Sequence, residues 1–178
     1  MNDPTQLDYE TNHRMRLIVV ATSPAADGYV AIWINLTDDN DNYPHFTQDR
    51  YTSAVWEGNP RGTYVTQVIA TDLDDGENGQ IDYIITLGNM DGAFAINPPN
   101  TGIVTTNAIL DREITSAYKL TIEARDRGRI SKTSTCILKI QVVDENDNSP
   151  FFPPYGSVSL REGQYLLKIL VDGGIVSD

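Results

Sequence analysis

Two runs rich in Asp and Asn, "DDNDNYPHF" at residues 38–46 and "DENDNSPFF" at 144–152, constrain this chain more than any other feature. Such runs favour neither helix nor strand, and their charges repel one another. Each is followed by a proline and closed by a phenylalanine. The duplication extends further. "LDYE" (7–10) recurs as "LDRE" (110–113), and "VWEG" (55–58) is echoed by "LREG" (160–163). Asp41 and Asp147 are 106 residues apart and Asp8 and Asp111 are 103 apart, in the same order along the chain. A period of about 105 residues therefore describes a tandem module. Residues 43–148 form one complete copy, residues 1–42 the closing part of a preceding copy, and residues 149–178 a truncated or divergent start of a third.

Within the module the hydrophobic period is two. In "YKLTIEARD" (118–126), Tyr118, Leu120, Ile122 and Ala124 alternate with Lys119, Thr121, Glu123 and Arg125. "TCILKIQVVD" (135–144) places Cys136, Leu138, Ile140 and Val142 on one face. "YVTQVIATD" (64–72) and "QIDYIITL" (80–87) read as further strands, separated from their neighbours by turn chemistry in "DDGENG" (74–79) and "NPPNTG" (97–102). No segment carries a helix-length periodicity. About seven short strands per module fit an all-β fold, an antiparallel Greek-key sandwich. Hydrophobic residues make up 40% of the chain, enough to fill such a core. Cys136, the single cysteine, is expected in that core and inert, and no intrachain disulfide can form.

The net charge of −12 argues against nucleic-acid phosphates and anionic membrane surfaces as partners. A solvated acidic surface is one reading of the excess and cations as partners the alternative, and the clustering of the acids decides between them. The acids fall at strand ends and connections: Asp8 and Glu10; Asp39, Asn40, Asp41 and Asn42; Asp72 and Asp74; Asp126. Carboxylates and amides spaced one residue apart suit a hard cation that takes six to eight oxygens, backbone carbonyls included. At this density the carboxylates would repel without a dication between them. An EF-hand does not fit, because "DLDDGENGQIDY" from Asp72 has Gly at its fifth position, no Glu at its twelfth and no flanking helices. Zinc would need the widely spaced His13, His45 and Cys136. Turn-making alone explains any one motif but not their repeated order. A glycosidase-like pair of acids is a further alternative, yet no nucleophile–base set is apparent, so no enzyme is expected.

With "LDRE", "ATDLD", "ARD" and "DENDNSP" standing in this order, the chain resembles tandem extracellular cadherin repeats over roughly residues 5 to 163. "DLDDGENG" followed by "IDYII" is similar to repeats of protocadherins and of long Fat- and Dachsous-like cadherins. The resemblance implies an immunoglobulin-like sandwich and three Ca²⁺ ions at the junction around residues 38–42. Their ligands would be Asp8 and Glu10 from the upper repeat, and the Asp39 carbonyl, Asn40 side chain, Asp41 carboxylate and Asn42 carbonyl from the linker. Asp72, Asp74, the Asn78 carbonyl and Asp126 would come from the lower repeat. Six carboxylates would then face six positive charges. Asp38 is not expected to ligate directly. For the junction at 144–148, Glu57, Asp111, Glu113, the Glu145 carbonyl, Asn146, Asp147 and the Asn148 carbonyl match the upper-repeat and linker roles. Asp172, followed by two glycines, does not match the lower-repeat pair, so occupancy there is expected to be partial. Asp126 lies 15 residues after Asp111, but the same step from Asp8 reaches Ser23, so the first partial copy lacks that acid.

The resemblance further implies calcium-dependent adhesion, homophilic or heterophilic, with other cadherin ectodomains. A calcium-rigidified spacer without adhesive contacts is the alternative. The parent would be a glycoprotein anchored in the plasma membrane with these repeats outside the cell. "MNDPTQLDYE" lacks a signal peptide's basic and apolar regions, and no apolar stretch is long enough to span a bilayer, so the chain is expected to be a fragment of that parent. "NLT" (35–37) is an N-glycosylation sequon whose Asn35 should point away from the core. Trp56, beside Glu57, is read as edge packing, and Trp33 as exposed.

Overall fold

The computed structural model describes residues 7–149, 151, 170–171 and 174–175. It divides into two compact units, Met1–Glu145 and Asn146–Asp178. The first opens with a hairpin of β1 (Arg14–Thr22) and β2 (Asp27–Asn35), antiparallel from Arg14↔Asn35 to Thr22↔Asp27. The Ser23 hydroxyl closes its turn, donating to the Ala26 carbonyl at 2.8 Å and accepting from the Ala25 and Ala26 amides. Both faces of the hairpin are largely exposed, including Leu17, Val19, Tyr29 and Ile32. Trp33 is exposed as expected, with the Arg14 guanidinium 4.0 Å from its ring centroid.

After an extended linker the chain builds a sandwich. Its strands are β3 (His45–Phe46), β4 (Arg50–Trp56), β5 (Tyr64–Gln67), β6 (Ala70–Thr71), β7 (Ile81–Leu87), β8 (Phe94–Ile96), β9 (Ile103–Thr106), β10 (Ala117–Asp126) and β11 (Thr133–Val143). One sheet has the order β4-β11-β10-β7, the facing one β5-β9-β8, and β3 pairs with β6 as a short ladder. The expected alternation holds in β10 and β11: Leu120, Ile122, Ala124, Cys136, Leu138, Ile140 and Val142 are all buried, joined by Tyr51, Val55 and Tyr83 from the same sheet and by Val65, Phe94 and Val104 from the facing one. The hydroxyls of the two buried tyrosines find partners, as burial requires. Tyr83 Oη accepts from the Ala70 amide at 2.8 Å and Tyr51 Oη donates to the Ile69 carbonyl at 3.1 Å. Burial pushes the Cys136 thiol up to about 11, which keeps it protonated and inert.

Two features differ from the simplest reading of the sequence. Residues 64–72 do not make one strand. The ladder breaks at Val68, whose amide donates to the Gly102 carbonyl at 3.0 Å, and the chain passes from β5 in one sheet to β6 beside β3. Gly102 permits this, with φ of +64° and a position where a Cβ would strike the Val68 carbonyl. The second is β4, which runs parallel to β11, from Arg50↔Ile137 to Trp56↔Val143, while the other pairs are antiparallel. A chain entering a sandwich at one pole and leaving by the other must send its first long strand and its last in the same direction. Trp56, at the end of this edge strand, stays 55% exposed rather than packed down.

In the second unit two-residue strands β12 (Leu170–Val171) and β13 (Gly174–Ile175) pair antiparallel. Most of the proposed third copy, including Asp172, lies outside the described residues.

Candidate metal centre

The linker and three strand ends converge at one pole of the sandwich. Asp8 and Glu10 lie on a turn ahead of β1, stabilised by Asn12 N–H to the Asp8 carbonyl at 3.0 Å and by Thr11, whose hydroxyl donates to the Asp8 carboxylate. The linker bends sharply where the Asp41 amide donates to the Asp39 carbonyl at 2.8 Å. Asp72 directly follows β6, and its carboxylate accepts from the Asp74 amide at 3.1 Å. Asn42 binds Asp74 through its backbone amide at 3.2 Å to both carboxylate oxygens and through its side-chain amide at 2.5 Å. Asp126 ends β10; its carboxylate accepts from the Gly128 and Lys132 amides, each at 2.9 Å, and so shapes the loop that follows.

Glu10, Asp41 and Asp74 each offer an oxygen within 4.8 Å of the others, although they lie on three separate segments. Asp74 and Asp126 are buried. Glu10 Oε1, Asp38 Oδ1, Asn40 Oδ1 and Asp72 Oδ2 are buried without any hydrogen-bond partner. All four are acceptors, so each would bear a desolvation cost that a donor or a cation could offset. The acids are mutually strained electrostatically. Opposed by a hydrogen bond from its own amide, burial and the Asp8, Asp41 and Asp38 carboxylates push Glu10 up to about 6. Burial and then the charges of Asp74 and Asp126 raise Asp72. Partnerless oxygens, carboxylates from several segments and an amide oxygen together make a donor set that fits a hard, oxygen-seeking dication.

At the opposite pole, Glu57 is 1% exposed, and its two oxygens accept from the Arg112 and Glu145 amides at 2.7 and 2.8 Å. Those backbone donors hold its carboxyl below the usual range. Glu57, Glu113 and Asp144 come within 4.8 Å of one another. Asp144 also takes the Arg112 guanidinium at 2.9 Å. Asp111 caps the local turn, accepting from the Ile114 amide at 3.0 Å. Asn146, Asp147 and Asn148 belong to the second unit and are exposed, with Asn148 Nδ2 donating to Asp147 Oδ1 at 2.9 Å.

Of the residues expected at the 38–42 junction, Glu10, Asp41 and Asp74 are clustered, Asp72 and Asn42 are bonded to Asp74, and Asn40 is bonded to Asp126. Asp39 lines a cavity with Asn40, Asn78 and Lys132. Asp144 is absent from the residues the sequence points to, whereas Asp38, not expected to ligate directly, accepts from Asn78 Nδ2 at 2.8 Å. The signal was present, since Asp38 and Asp144 are also 106 residues apart and so hold equivalent places in the two runs. Asn35 and Thr37 are both exposed, with Asn35 ending β2.

The family model of the cadherin domain matches residues 51–143. Protein dachsous of Drosophila melanogaster is 44% identical over 157 residues, covering 86% of this chain and 4% of the relative. Human Protocadherin-23 is 41% identical over 162 residues, covering 91% of this chain and 5% of the relative. The chain thus spans only a small part of the length of the curated proteins it matches. In structure it is similar to mouse Cadherin-23 EC22-24, with a TM-score of 0.73 and 35% identity, covering 79% of this chain and 46% of the other.

Proposed function

The chain belongs to the cadherin family, whose members mediate cell adhesion, and from that premise we propose that it is a calcium-rigidified segment of an adhesive ectodomain. Residues 1–42, 43–148 and 149–178 are read as the end of one repeat, a whole repeat and the start of a third. Glu10, Asp41, Asp72, Asp74 and Asp126, with Asp8, the Asn40 side chain and the carbonyls of Asp39, Asn42 and Asn78, would hold Ca²⁺ at the first junction. Glu57, Asp111, Glu113, Asp147, Asn146 and the carbonyls of Glu145 and Asn148 would serve the second in part. Bound calcium supplies the positive charge that lets these acids sit together.

The observation that carries this reading is the set of four buried, partnerless oxygens around the Glu10–Asp41–Asp74 cluster. Holding carboxylates from the hairpin side, the linker and the sandwich side together would fix the angle between successive repeats. Extracellular Ca²⁺ modules bind at about 10⁻⁴ to 10⁻³ M, a range that keeps the site filled outside the cell. The partners would be other cadherin ectodomains, the location the outer side of the plasma membrane, and the role non-catalytic. Calorimetric titration with Ca²⁺ should show binding in that range, and chelator should lower the melting temperature. No heat of binding together with an unchanged melting temperature would refute the reading.

A further inference from the structure

Gly128 is buried in the loop that Asp126 shapes. A Cβ there would lie 2.9 Å from Asn78 Oδ1, 2.7 Å from Asn40 Cγ and closer still to Asn40 Nδ2. Its backbone does not lie in the left-handed region, unlike that of Gly58, Gly62 or Gly102, so what excludes a side chain is space alone. The space is filled by an amide whose hydrogens are both committed. Asn40 Nδ2 donates to Asp126 Oδ2 at 3.2 Å and to the Ile130 carbonyl at 2.9 Å. Only the nitrogen end can face two acceptors, so the oxygen end is turned away from them, and Asn40 Oδ1 is left buried with no partner. The neighbouring Asn78 cannot readily yield, because its own amide is tied to Asp38 at 2.8 Å.

We propose that Gly128 is a positioning residue of the cation site: its missing side chain lets the 126–132 loop clasp the Asn40 amide, which aims Asn40 Oδ1 at the metal. This rests on the calcium reading of the same junction. Residues that orient a metal ligand typically change affinity by about 10- to 100-fold when altered.

The test uses the 178-residue chain: wild type, G128A, N40A, the N40A/G128A pair, and G28A as a control, since a Cβ at Gly28 meets nothing within 4 Å. Calcium titration should show G128A weakened about 10- to 100-fold and G28A unchanged. In chelator, the Asn40 side-chain amide protons should exchange more slowly in wild type than in G128A, a comparison that needs no metal. In the N40A background the second substitution should add much less, because the two closest clashing atoms are gone and only Asn78 Oδ1 remains near the new Cβ. If G128A alone fails to fold, N40A/G128A should recover the fold. The proposal falls if G128A binds calcium like wild type, if its penalty persists undiminished without the Asn40 side chain, or if both variants fail to fold. A wild type that binds no calcium sinks the metal reading and this proposal with it.

Discussion

Glu10 illustrates how the junction stores repulsion in single side chains. Its carboxyl, pushed up to about 6 from an ordinary 4.5, holds its proton to a higher pH in the metal-free fold. A raised acid stabilises the folded state fully below its unfolded value, and that contribution is lost as pH rises through the folded value. In chelator, E10Q, which mimics the neutral acid, should therefore melt like wild type near about pH 4.5 and above it near about pH 7.5. In saturating calcium the order at the higher pH should invert, because an amide brings no charge to the cation. Melting curves at the two pH values, with and without calcium, check both halves. At this scale the alternating Asp and Asn of 38–42 were legible because ligand chemistry needs side-chain types, which a sequence displays. Gly128 was not legible, since its role depends on a gap between Asn40 and Asn78 that exists only after the loop closes.

The elements divide along the same line. β10 and β11 were readable because a half-buried strand must alternate, and their inward residues are the ones that pack. The break between β5 and β6 was hidden, because Val68, Ile69 and Ala70 continue an apolar run and a change of ladder partner leaves that composition unaltered. Parallel pairing of β4 was equally invisible, since period two does not depend on strand direction. Leu138 tests the core that these strands share. It is fully buried at the middle of β11, paired with Tyr51 on one side and Leu120 on the other. L138A should cost about 2–5 kcal/mol, read from urea unfolding in the presence of calcium.

Over the whole molecule, the hairpin and the sandwich are joined through the residue 38–44 linker and the contacts around it, among them Tyr9 Oη donating to Asp75 Oδ2 at 3.2 Å. No residue of the β1–β2 hairpin belongs to the buried hydrophobic core of the described residues, so the segment should open locally once its charges lose their counter-ion. Limited proteolysis should cut within the linker in chelator and spare it in calcium, with the sandwich intact in both. The parallel pairing of β4 with β11 has a mechanical consequence as well. Tension between the chain's entry into the sandwich and its exit pulls these strands lengthwise past each other over seven paired positions. The hydrogen bonds of that ladder lie side by side across the load and share it, so they must rupture together. The β1–β2 hairpin, pulled at its open end, would instead unzip one pair at a time.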